Sequence, residues 1–228
     1  MRTILLAAGF GKRLMPLTKD IPKCLVPIKG VPLLEIWLTR LAEFNLGPFL
    51  INTHYKSSQV ESYIRGSQHS NKVTIANESL LMGTAGTLVK NLDFFQGEDG
   101  LLIHSDNYCM ANFNAFIDAH QNRPKECLLT MMTFRTNNPS ACGIIELNQQ
   151  GIVTQFYEKV TNPPGNLANG AIYILSAELL GMIKKELSEA KDFSTEILNH
   201  LIGRIFTYET QELFIDIGTP EAYKKANS

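Results

Sequence analysis

The sequence predicts an α/β fold built on a parallel, doubly wound sheet. The stretch from Ile4 to Ala8 is an unbroken apolar run, which is typical of a strand buried on both faces. Up to residue 76, strand patterns alternate with helix patterns over short connections. This alternation favours parallel strands joined by right-handed helical crossovers.

Apolar periodicity places the remaining elements of the first half. The expected ranges are a helix over 33–44, a strand over 49–53, a helix over 57–65, a strand over 73–76, a short helix after Gly83 and a strand over 101–103. We expect Ser57 or Ser58 to cap the second helix and Thr84 to cap the short one.

The second half mixes a hairpin with helices. The expected strands cover 128–133, 143–147, 152–157, 167–175, 205–208 and 213–215, and the expected helices cover 113–120, 177–187, 194–202 and the chain from 220. Ser194 is the expected cap of the third of these helices. The sequence has no internal repeat and no low-complexity linker, so it predicts one domain over 1–228.

Composition excludes two classes of partner. Hydrophobic residues make up 44% and charged residues 19% of the chain, and the formal net charge is −1. This balance has no basic excess for nucleic acid and no apolar run for membrane insertion. The first strand leaves no room for a signal peptide, and the four scattered cysteines have no paired spacing, so we expect a cytoplasmic protein with reduced thiols.

The loop after the first strand has the composition of an anion-binding turn. Gly9 and Gly11 remove side chains where backbone amides could close on a phosphate, and Lys12 and Arg13 add positive charge. The third glycine of a dinucleotide fingerprint is missing, and Lys12 is not followed by Ser or Thr as in a Walker motif. Taken alone, the loop could also be a tight turn with surface cations.

Two acids follow apolar runs where strands should end. Asp106 and Asp216 together would suit Mg²⁺, which prefers oxygen ligands and shares them with substrate phosphates. Ligands of open α/β sheets collect at the carboxyl ends of strands, so Gly9 and Asp106 are expected to face one crevice. The structural alternative is that each Asp only caps a turn or helix.

Other candidate residues also have ordinary structural readings. Prolines on either side of Lys23 are expected to hold it in an extended segment, where it could be one more exposed cation. Glu158 and Lys159 could be a solvated surface pair, and Asn169 with the following glycine could form a bulge or turn.

Taken in order, these motifs resemble the signature of sugar-1-phosphate nucleotidyltransferases, with the short form close to mannose- and heptose-1-phosphate guanylyltransferases. The stretches that carry the resemblance span nearly the whole chain and are Leu6–Thr18, Pro22–Ile28, Gly83–Gly86, Ser105–Asn107, Cys142–Ile144, Glu158–Lys159, Asn169–Gly170 and Asp216–Pro220. The chain departs from the family pattern at Cys24, Cys142 and Val160, which puts the sugar pocket in question more than the chemistry.

The resemblance implies a Rossmann-like, glycosyltransferase-A-like fold, with a mixed, mainly parallel sheet and a small sugar-binding lobe. It implies a nucleotide-binding half over about 1–110, a sugar-binding half over about 111–228 and no appended β-helix. The implied substrates are a nucleoside triphosphate and a sugar 1-phosphate, the implied cofactor is Mg²⁺, and the oligomeric state, a homo-oligomer included, is left open.

The resemblance also implies a role for each site residue. Arg13, Lys23 and Asp106 are implied to be catalytic, and Asp106 and Asp216 to hold the metal. The implied nucleotide-binding residues are Ala7, Ala8, Gly9, Gly11, Lys12, Glu78, Gly83 and Thr84. The implied sugar-phosphate-binding residues are Gly143, Glu158, Lys159 and Asn169.

The resemblance also leads to expectations about the nucleotide base and the sugar. The resemblance favours GTP with a mannose- or heptose-type 1-phosphate, because a carboxylate such as Glu78 could accept both the N1–H and the amino protons of guanine. Uridylyl or thymidylyl transfer is the alternative within the family. A non-catalytic nucleotide-sugar-binding regulatory protein and a dinucleotide-dependent oxidoreductase are alternatives from other classes.

Overall fold

The computed structural model describes all residues, 1–228. The strands are β1 (Arg2–Leu6), β2 (Pro27–Ile28), β3 (Val31–Pro32), β4 (Phe49–Thr53), β5 (Val73–Asn77), β6 (Gly100–His104), β7 (Asn107–Cys109), β8 (Leu129–Arg135), β9 (Gly143–Leu147), β10 (Val153–Glu158), β11 (Leu167–Leu175), β12 (Ile205–Glu209) and β13 (Phe214–Asp216). The α-helices are α1 (Leu33–Glu43), α2 (Ser57–Gly66), α3 (Gly83–Lys90), α4 (Phe113–Gln121), α5 (Ala177–Glu186) and α6 (Pro220–Asn227). No helix is both long and apolar enough to cross a bilayer.

The chain divides into two compact units that interleave along the sequence. The first contains Met1–Leu81, Ile103–Met110 and Leu213–Ser228, and the second contains Met82–Leu102 and Ala111–Glu212. The carboxyl-terminal strand β13 and helix α6 therefore belong to the same unit as the first loop.

The first unit is built on parallel strands. Strand β4 pairs in parallel with β1 on one side and with β5 on the other. Ser105, just after β6, donates from its backbone N–H and its hydroxyl to the carbonyl of Leu6 at the end of β1. Fully buried apolar side chains such as Ile4, Trp37 and Phe49 form the core of this unit. The unit therefore brings the ends of β1, β4 and β6 to one edge.

The second unit has a mixed sheet. Strand β9 pairs antiparallel with β10 and with β11, while β8 pairs antiparallel with β11 and parallel with β12. Helix α4 packs on β8 and β12. The core of the second unit includes the fully buried Phe116 and Tyr173. The predicted α/β class with a mixed, mainly parallel sheet is confirmed.

The predicted caps of helix α2 and of the helix from Ser194 are wrong. Helix α2 is preceded by Lys56 in a left-handed conformation and has no side-chain cap, so neither Ser57 nor Ser58 serves as one. A π-helical turn over Phe193–Leu198 replaces the start of the predicted helix from Ser194. Its cap is Asp192, whose carboxylate accepts the N–H of Thr195 at 2.8 Å, because a carboxylate is a stronger acceptor than a hydroxyl.

Candidate active site

A crevice in the first unit collects most of the residues predicted to handle phosphate. It encloses about 200 Å³ and is open to solvent on one side. The residues that line it are Gly9, Gly11, Lys12, Arg13, Lys23, Asp106 and Gly218. Because three cations and an acid surround a small cavity, the crevice suits a di- or triphosphate group with its counterion.

The loop after β1 is shaped by Gly11 and left accessible by Gly9. Gly11 has a φ of 63°, and a Cβ placed there would lie 2.9 Å from Cγ2 of Thr18 and 3.1 Å from Cβ of Lys23. The Thr18 hydroxyl donates to the Gly11 carbonyl at 2.8 Å, which holds the turn closed. A Cβ on Gly9 would meet nothing within 4 Å, so the backbone there can approach a ligand closely.

The two cations of the loop lie on an exposed turn. A 3₁₀ turn spans Lys12–Leu14, and the Lys12 ammonium lies 5.4 Å from the ring centre of Phe10. The Arg13 guanidinium lies over Gly218. Its Nη2 atom is 2.9 Å from the point that a Cβ would occupy at residue 218. A side chain at residue 218 would therefore displace Arg13 from the crevice.

Lys23 and Asp106 form an ion pair at the base of the crevice. Lys23 Nζ lies 2.6 Å from Asp106 Oδ2, and the lysine is buried. Burial alone would raise the pKa of the Asp106 carboxyl, but the charges of Lys23 and His104 and the hydrogen bond from Lys23 hold that pKa below its usual value. Asp106 is therefore ionised and oriented at neutral pH.

The prediction that Lys23 lies in an extended segment is wrong. Residues Lys23–Leu25 form a 3₁₀ turn, in which the N–H of Leu25 donates to Pro22 and the N–H of Val26 donates to Lys23. Pro22 itself is extended, as its ring requires, but it restricts only itself and the residue before it. The turn is what directs the lysine side chain inward.

Two strands bring the predicted metal-binding acids together. In the antiparallel ladder of β7 and β13, Asp216 lies opposite Asn107, and the N–H of Ile217 donates to the Asp106 carbonyl at 3.1 Å. Oδ1 of Asp216 is buried and lies 3.0 Å from the Cβ position of Gly218, beside the Arg13 guanidinium. Two carboxylates from adjoining strands beside a phosphate-sized cavity match the donor set that Mg²⁺ takes, with phosphate and water oxygens as its other ligands.

The residues predicted to contact the base are joined by a buried residue that sequence reasoning missed. Ala7 and Ala8 are buried at the end of β1, and Glu78, just after β5, is 4% exposed. Asn52 joins them: its Oδ1 accepts the N–H of Ala7 at 2.7 Å, and its Nδ2 donates to Oε1 of Glu78 at 2.9 Å. The available signal was an amide side chain directly after the apolar residues of a central strand.

Gly83 and Thr84 lie at the start of α3 in the second unit. The residue before the helix is Met82, and no side chain caps it, so the prediction that Thr84 is the cap is wrong. The Thr84 hydroxyl instead accepts the N–H of Phe193 at 2.8 Å. The N–H of Ala85 donates to the Lys191 carbonyl at 3.0 Å, so the turn is fixed by the neighbouring loop rather than by its own cap.

Gly143 and Glu158 are partners across the β9–β10 ladder. Gly143 lies opposite Glu158, and a Cβ on the glycine would lie 2.8 Å from Oε2 of Glu158 and from the ring of Phe156. Lys159 adopts a φ of 50° and turns its ammonium back to within 2.9 Å of Oε1 of Glu158. The glutamate carboxylate is thus packed against a bare backbone and neutralised by its neighbour.

Asn169 belongs to the same region through strand β11. Its neighbour Ala168 lies opposite Ile144 of β9, the residue after Gly143. The Asn169 amide donates to the hydroxyl of the fully buried Tyr173 at 2.7 Å and accepts the N–H of Ala171 at 2.8 Å. Burial, together with the charge of Glu158, raises the pKa of Tyr173 well above its usual range, so the hydroxyl stays protonated.

The fold and the crevice together define an α/β protein with a cation-lined crevice of phosphate size beside paired carboxylates. A family model described as nucleotidyl transferase matches residues 2–228, and the chain belongs to that family. The resemblance inferred from the ordered motifs is therefore confirmed.

Several proteins related in sequence are named as guanylyltransferases or guanyltransferases that act on a sugar 1-phosphate. The chain is 30% identical, over 227 residues, to a putative mannose-1-phosphate guanyltransferase of Sulfolobus acidocaldarius, covering 98% of this chain and 61% of the relative. It is 28% identical to a D-glycero-alpha-D-manno-heptose 1-phosphate guanylyltransferase of Campylobacter jejuni, covering 98% of this chain and 97% of that one. The chain therefore spans less than two thirds of some relatives and nearly all of others.

Solved structures share the fold. HddC from Yersinia pseudotuberculosis, complexed with GMP-PN, superposes with a TM-score of 0.83 at 25% identity and covers 99% of this chain and 97% of that chain. A putative glucose-1-phosphate thymidylyltransferase from Bacillus anthracis superposes with a TM-score of 0.86 at 21% identity, over 100% of this chain and 94% of that chain.

Proposed function

We propose that this protein joins a nucleoside triphosphate to a sugar 1-phosphate, giving a nucleotide-diphosphate sugar and pyrophosphate. GTP with a mannose- or heptose-type 1-phosphate is the proposed substrate pair. The carrying observation is the crevice in which the Lys23–Asp106 pair lies beside the glycine loop and next to Asp216. The names of the relatives support guanylyl transfer and these two sugar classes.

The reaction needs positioning and charge neutralisation rather than a protein nucleophile. An oxygen of the sugar phosphate forms a bond to the α-phosphorus of the triphosphate, and the bond from that phosphorus to the bridging oxygen of pyrophosphate breaks. Loop amides around Gly9 would hold the triphosphate, and Arg13 would neutralise the departing pyrophosphate. Lys23, fixed by Asp106, would face the reacting phosphates.

A divalent cation would be held by Asp106 and Asp216, and Mg²⁺ is the proposed ion. When bound, such an ion supplies charge neutralisation for the phosphates. The sugar hydroxyls and phosphate would be bound in the second unit by Gly143, Glu158, Lys159 and Asn169. Gly83 and Thr84 are proposed to contact the nucleotide.

The cellular setting is proposed from the cysteines and from the class of reaction. No disulfide joins the four cysteines, and burial raises the pKa of the Cys24 thiol to about 12, which keeps it inert. A reduced, biosynthetic compartment such as the cytoplasm suits both facts.

The testing experiment is a matrix of four nucleoside triphosphates against a panel of sugar 1-phosphates with Mg²⁺, scored by release of pyrophosphate. We expect turnover to be highest with GTP and a mannose- or heptose-type 1-phosphate. Arg13→Gln should raise the KM for the triphosphate at least tenfold. Lys184→Gln, which removes an exposed cation paired with Asp93 in the second unit, should not change it. A folded protein with no turnover in any cell of the matrix, but with tight binding of a nucleotide sugar, would instead show a non-catalytic binding protein.

A further inference from the structure

Asn52 holds two parts of the nucleotide site in one orientation, and we infer that it is the positioning residue through which the protein selects guanine. This inference rests on the proposed function. Asn52 stands near the end of β4, is 4% exposed, and contacts Ala7 and Glu78 through opposite sides of its amide.

The orientation of the Asn52 amide is determined by its two partners. The backbone N–H of Ala7 can only donate, and Oε1 of Glu78 accepts the hydrogen bond from Nδ2 of the amide. The carbonyl oxygen of the amide must therefore face Ala7 at 2.7 Å, and its nitrogen must face Glu78 at 2.9 Å. In a flipped amide, the NH₂ group would face the N–H of Ala7, and the carbonyl oxygen would face Oε1 of Glu78. Donor would oppose donor and acceptor would oppose acceptor, so only the observed orientation is stable.

The path of the chain at Glu78 does not depend on Asn52. The N–H of Glu78 donates to the Thr53 carbonyl at 2.8 Å, and the Glu78 carbonyl lies 2.8 Å from Nδ1 of His54. These contacts fix the backbone of residue 78 by themselves. What Asn52 adds is the direction of the carboxylate, together with a hydrogen bond that offsets its burial.

A carboxylate fixed in this way discriminates between bases. Guanine carries two adjacent donors on its Watson–Crick edge, N1–H and the 2-amino group, and each carboxylate oxygen can accept more than one hydrogen bond. Uracil, thymine, adenine and cytosine have no two adjacent donors on this edge, so the second oxygen of the carboxylate would face an acceptor, which it repels. A site built for a particular donor rejects analogues that lack it much more strongly than an apolar pocket would.

Inosine triphosphate tests whether the carboxylate recognises the 2-amino group of guanine, because this nucleotide differs from GTP only by lacking that group. For the wild-type protein we expect kcat/KM for GTP to exceed that for ITP by roughly 10- to 100-fold. In Asn52→Leu this ratio should fall to about threefold or less, since the carboxylate loses its direction. The KM for the sugar 1-phosphate should stay within about twofold of the wild-type value.

Four further variants make the experiment decisive. Asn52→Ser leaves a small polar residue at the site, and it should show the same collapse of the ratio if the leucine variant does not fold. Glu78→Gln should also collapse the ratio, and the double variant Asn52→Leu/Glu78→Gln should be no worse than either single one, because both act through one carboxylate. Asn91→Leu removes a half-buried amide that bonds the Thr87 carbonyl, and it should keep the wild-type ratio.

The outcomes separate the inference from the proposed function. If no triphosphate is turned over, or if UTP or dTTP is preferred to GTP, the proposed substrate is wrong and the inference fails with it. If GTP is preferred but the folded Asn52 variants keep the wild-type ratio of GTP to ITP, only the inference is overturned. A lower melting temperature with equal losses for every triphosphate would likewise assign Asn52 a merely structural role.

Discussion

The ammonium of Lys23 lies 2.6 Å from the carboxylate of Asp106, although 82 residues separate them in the chain. The Lys23 side chain is 10% exposed, whereas the Asp106 side chain keeps 41% of its surface accessible at the crevice. Both residues line the crevice, but the carboxylate of Asp106 is the more accessible member of the pair. The buried ammonium of Lys23 therefore fixes the orientation of a carboxylate that stays open to the crevice.

Removal of Lys23 should reverse the pH dependence that Asp106 contributes to the free energy of unfolding. In the wild type the pKa of Asp106 is lowered, so its contribution to stability is present above the unfolded value of 3.8 and is lost as the pH falls through the lower folded pKa. In Lys23→Met burial remains without the lysine charge, so that pKa should rise above 3.8.

The expected result is a loss of about 1–2 kcal/mol in the free energy of unfolding at pH 7, after allowance for the exposure of the Asp106 carboxylate. The difference from the wild type should shrink as the pH falls towards 4. Urea titrations at pH 4, 5.5 and 7 measure it, and a difference that does not change with pH contradicts the assignment.

Asp216→Asn should remove catalysis while sparing the fold. The amide keeps the shape of the side chain but loses the charge that attracts a divalent cation. We expect turnover to fall at least about 100-fold, with a higher Mg²⁺ concentration for half-maximal rate and a melting temperature within a few degrees of the wild type. Calorimetric titration of Mg²⁺ in the presence of GTP gives a readout independent of turnover.

The matched control for this substitution is Asp93→Asn, which neutralises an acid whose side chain is 91% exposed and paired with Lys184. It should retain wild-type turnover and Mg²⁺ binding. Normal rates in Asp216→Asn would show that this aspartate does not hold the metal.

The two loop glycines should respond differently to a methyl group. Gly11→Ala should lower the free energy of unfolding by about 1–2 kcal/mol, because alanine must adopt the left-handed φ of 63° and crowd Thr18 and Lys23. Gly9→Ala meets no protein atom within 4 Å, so its stability should not change. Its KM for the triphosphate should nonetheless rise, because the methyl group occupies the side from which a phosphate approaches.

Thermal unfolding and steady-state kinetics of both variants give the comparison. Equal stability of the two proteins would mean that the strained turn at Gly11 relaxes at little cost. An unchanged KM in Gly9→Ala would mean that the triphosphate does not bind against this loop.

Apolar periodicity was sufficient to place most strands of both units within a few residues, because burial on both faces leaves a continuous signal in β1, β4 and β6. The short strands β2, β3 and β7 were not predicted. The errors at Thr84 and Ser194 have a common cause. A hydroxyl near a helix start is a cap only if no better partner competes, and the structure gives Thr84 the N–H of Phe193 and gives the cap position to Asp192.

Predicted site residues came together where strand topology alone determines position, as for Gly9 and Asp106. Asn52 was missed because its role depends on the pairing of β4 between β1 and β5, and that pairing is not encoded in any short motif. The turn at Lys23 was also missed, since its hydrogen bonds join residues that the flanking prolines suggested were extended. Contacts between distant segments are what sequence patterns do not supply.

Gly143→Ala should damage sugar binding selectively. The new Cβ would lie 2.8 Å from the Glu158 carboxylate and from the Phe156 ring, so the carboxylate must move. We expect the KM for the sugar 1-phosphate to rise at least about tenfold while the KM for GTP stays within about twofold. Gly165→Ala, where a Cβ meets nothing within 4 Å, is the control. Equal increases in both KM values would place Glu158 outside the sugar site.

His120 should make the second unit sensitive to acid. It is buried, its Nδ1 lies 2.8 Å from the Thr130 hydroxyl, and its Nε2 lies 3.3 Å from Asp99. Burial lowers the pKa of His120; the contact with Asp99 opposes this effect, whereas the charge of Arg123 adds to it. The folded histidine thus binds its proton less readily than the unfolded one, whose pKa is 6.5.

It follows that the free energy of unfolding should decrease as the pH falls below about 6.5, because the unfolded chain takes up the proton first. In His120→Gln this slope between pH 6.5 and 5 should diminish, although the protein is less stable at pH 7. Thr130→Val removes a hydrogen-bond partner but keeps the titrating ring, so it should lose stability and retain the slope. Denaturant titrations across this range distinguish the two variants, and equal slopes in the wild type and His120→Gln would show that another group controls the acid response.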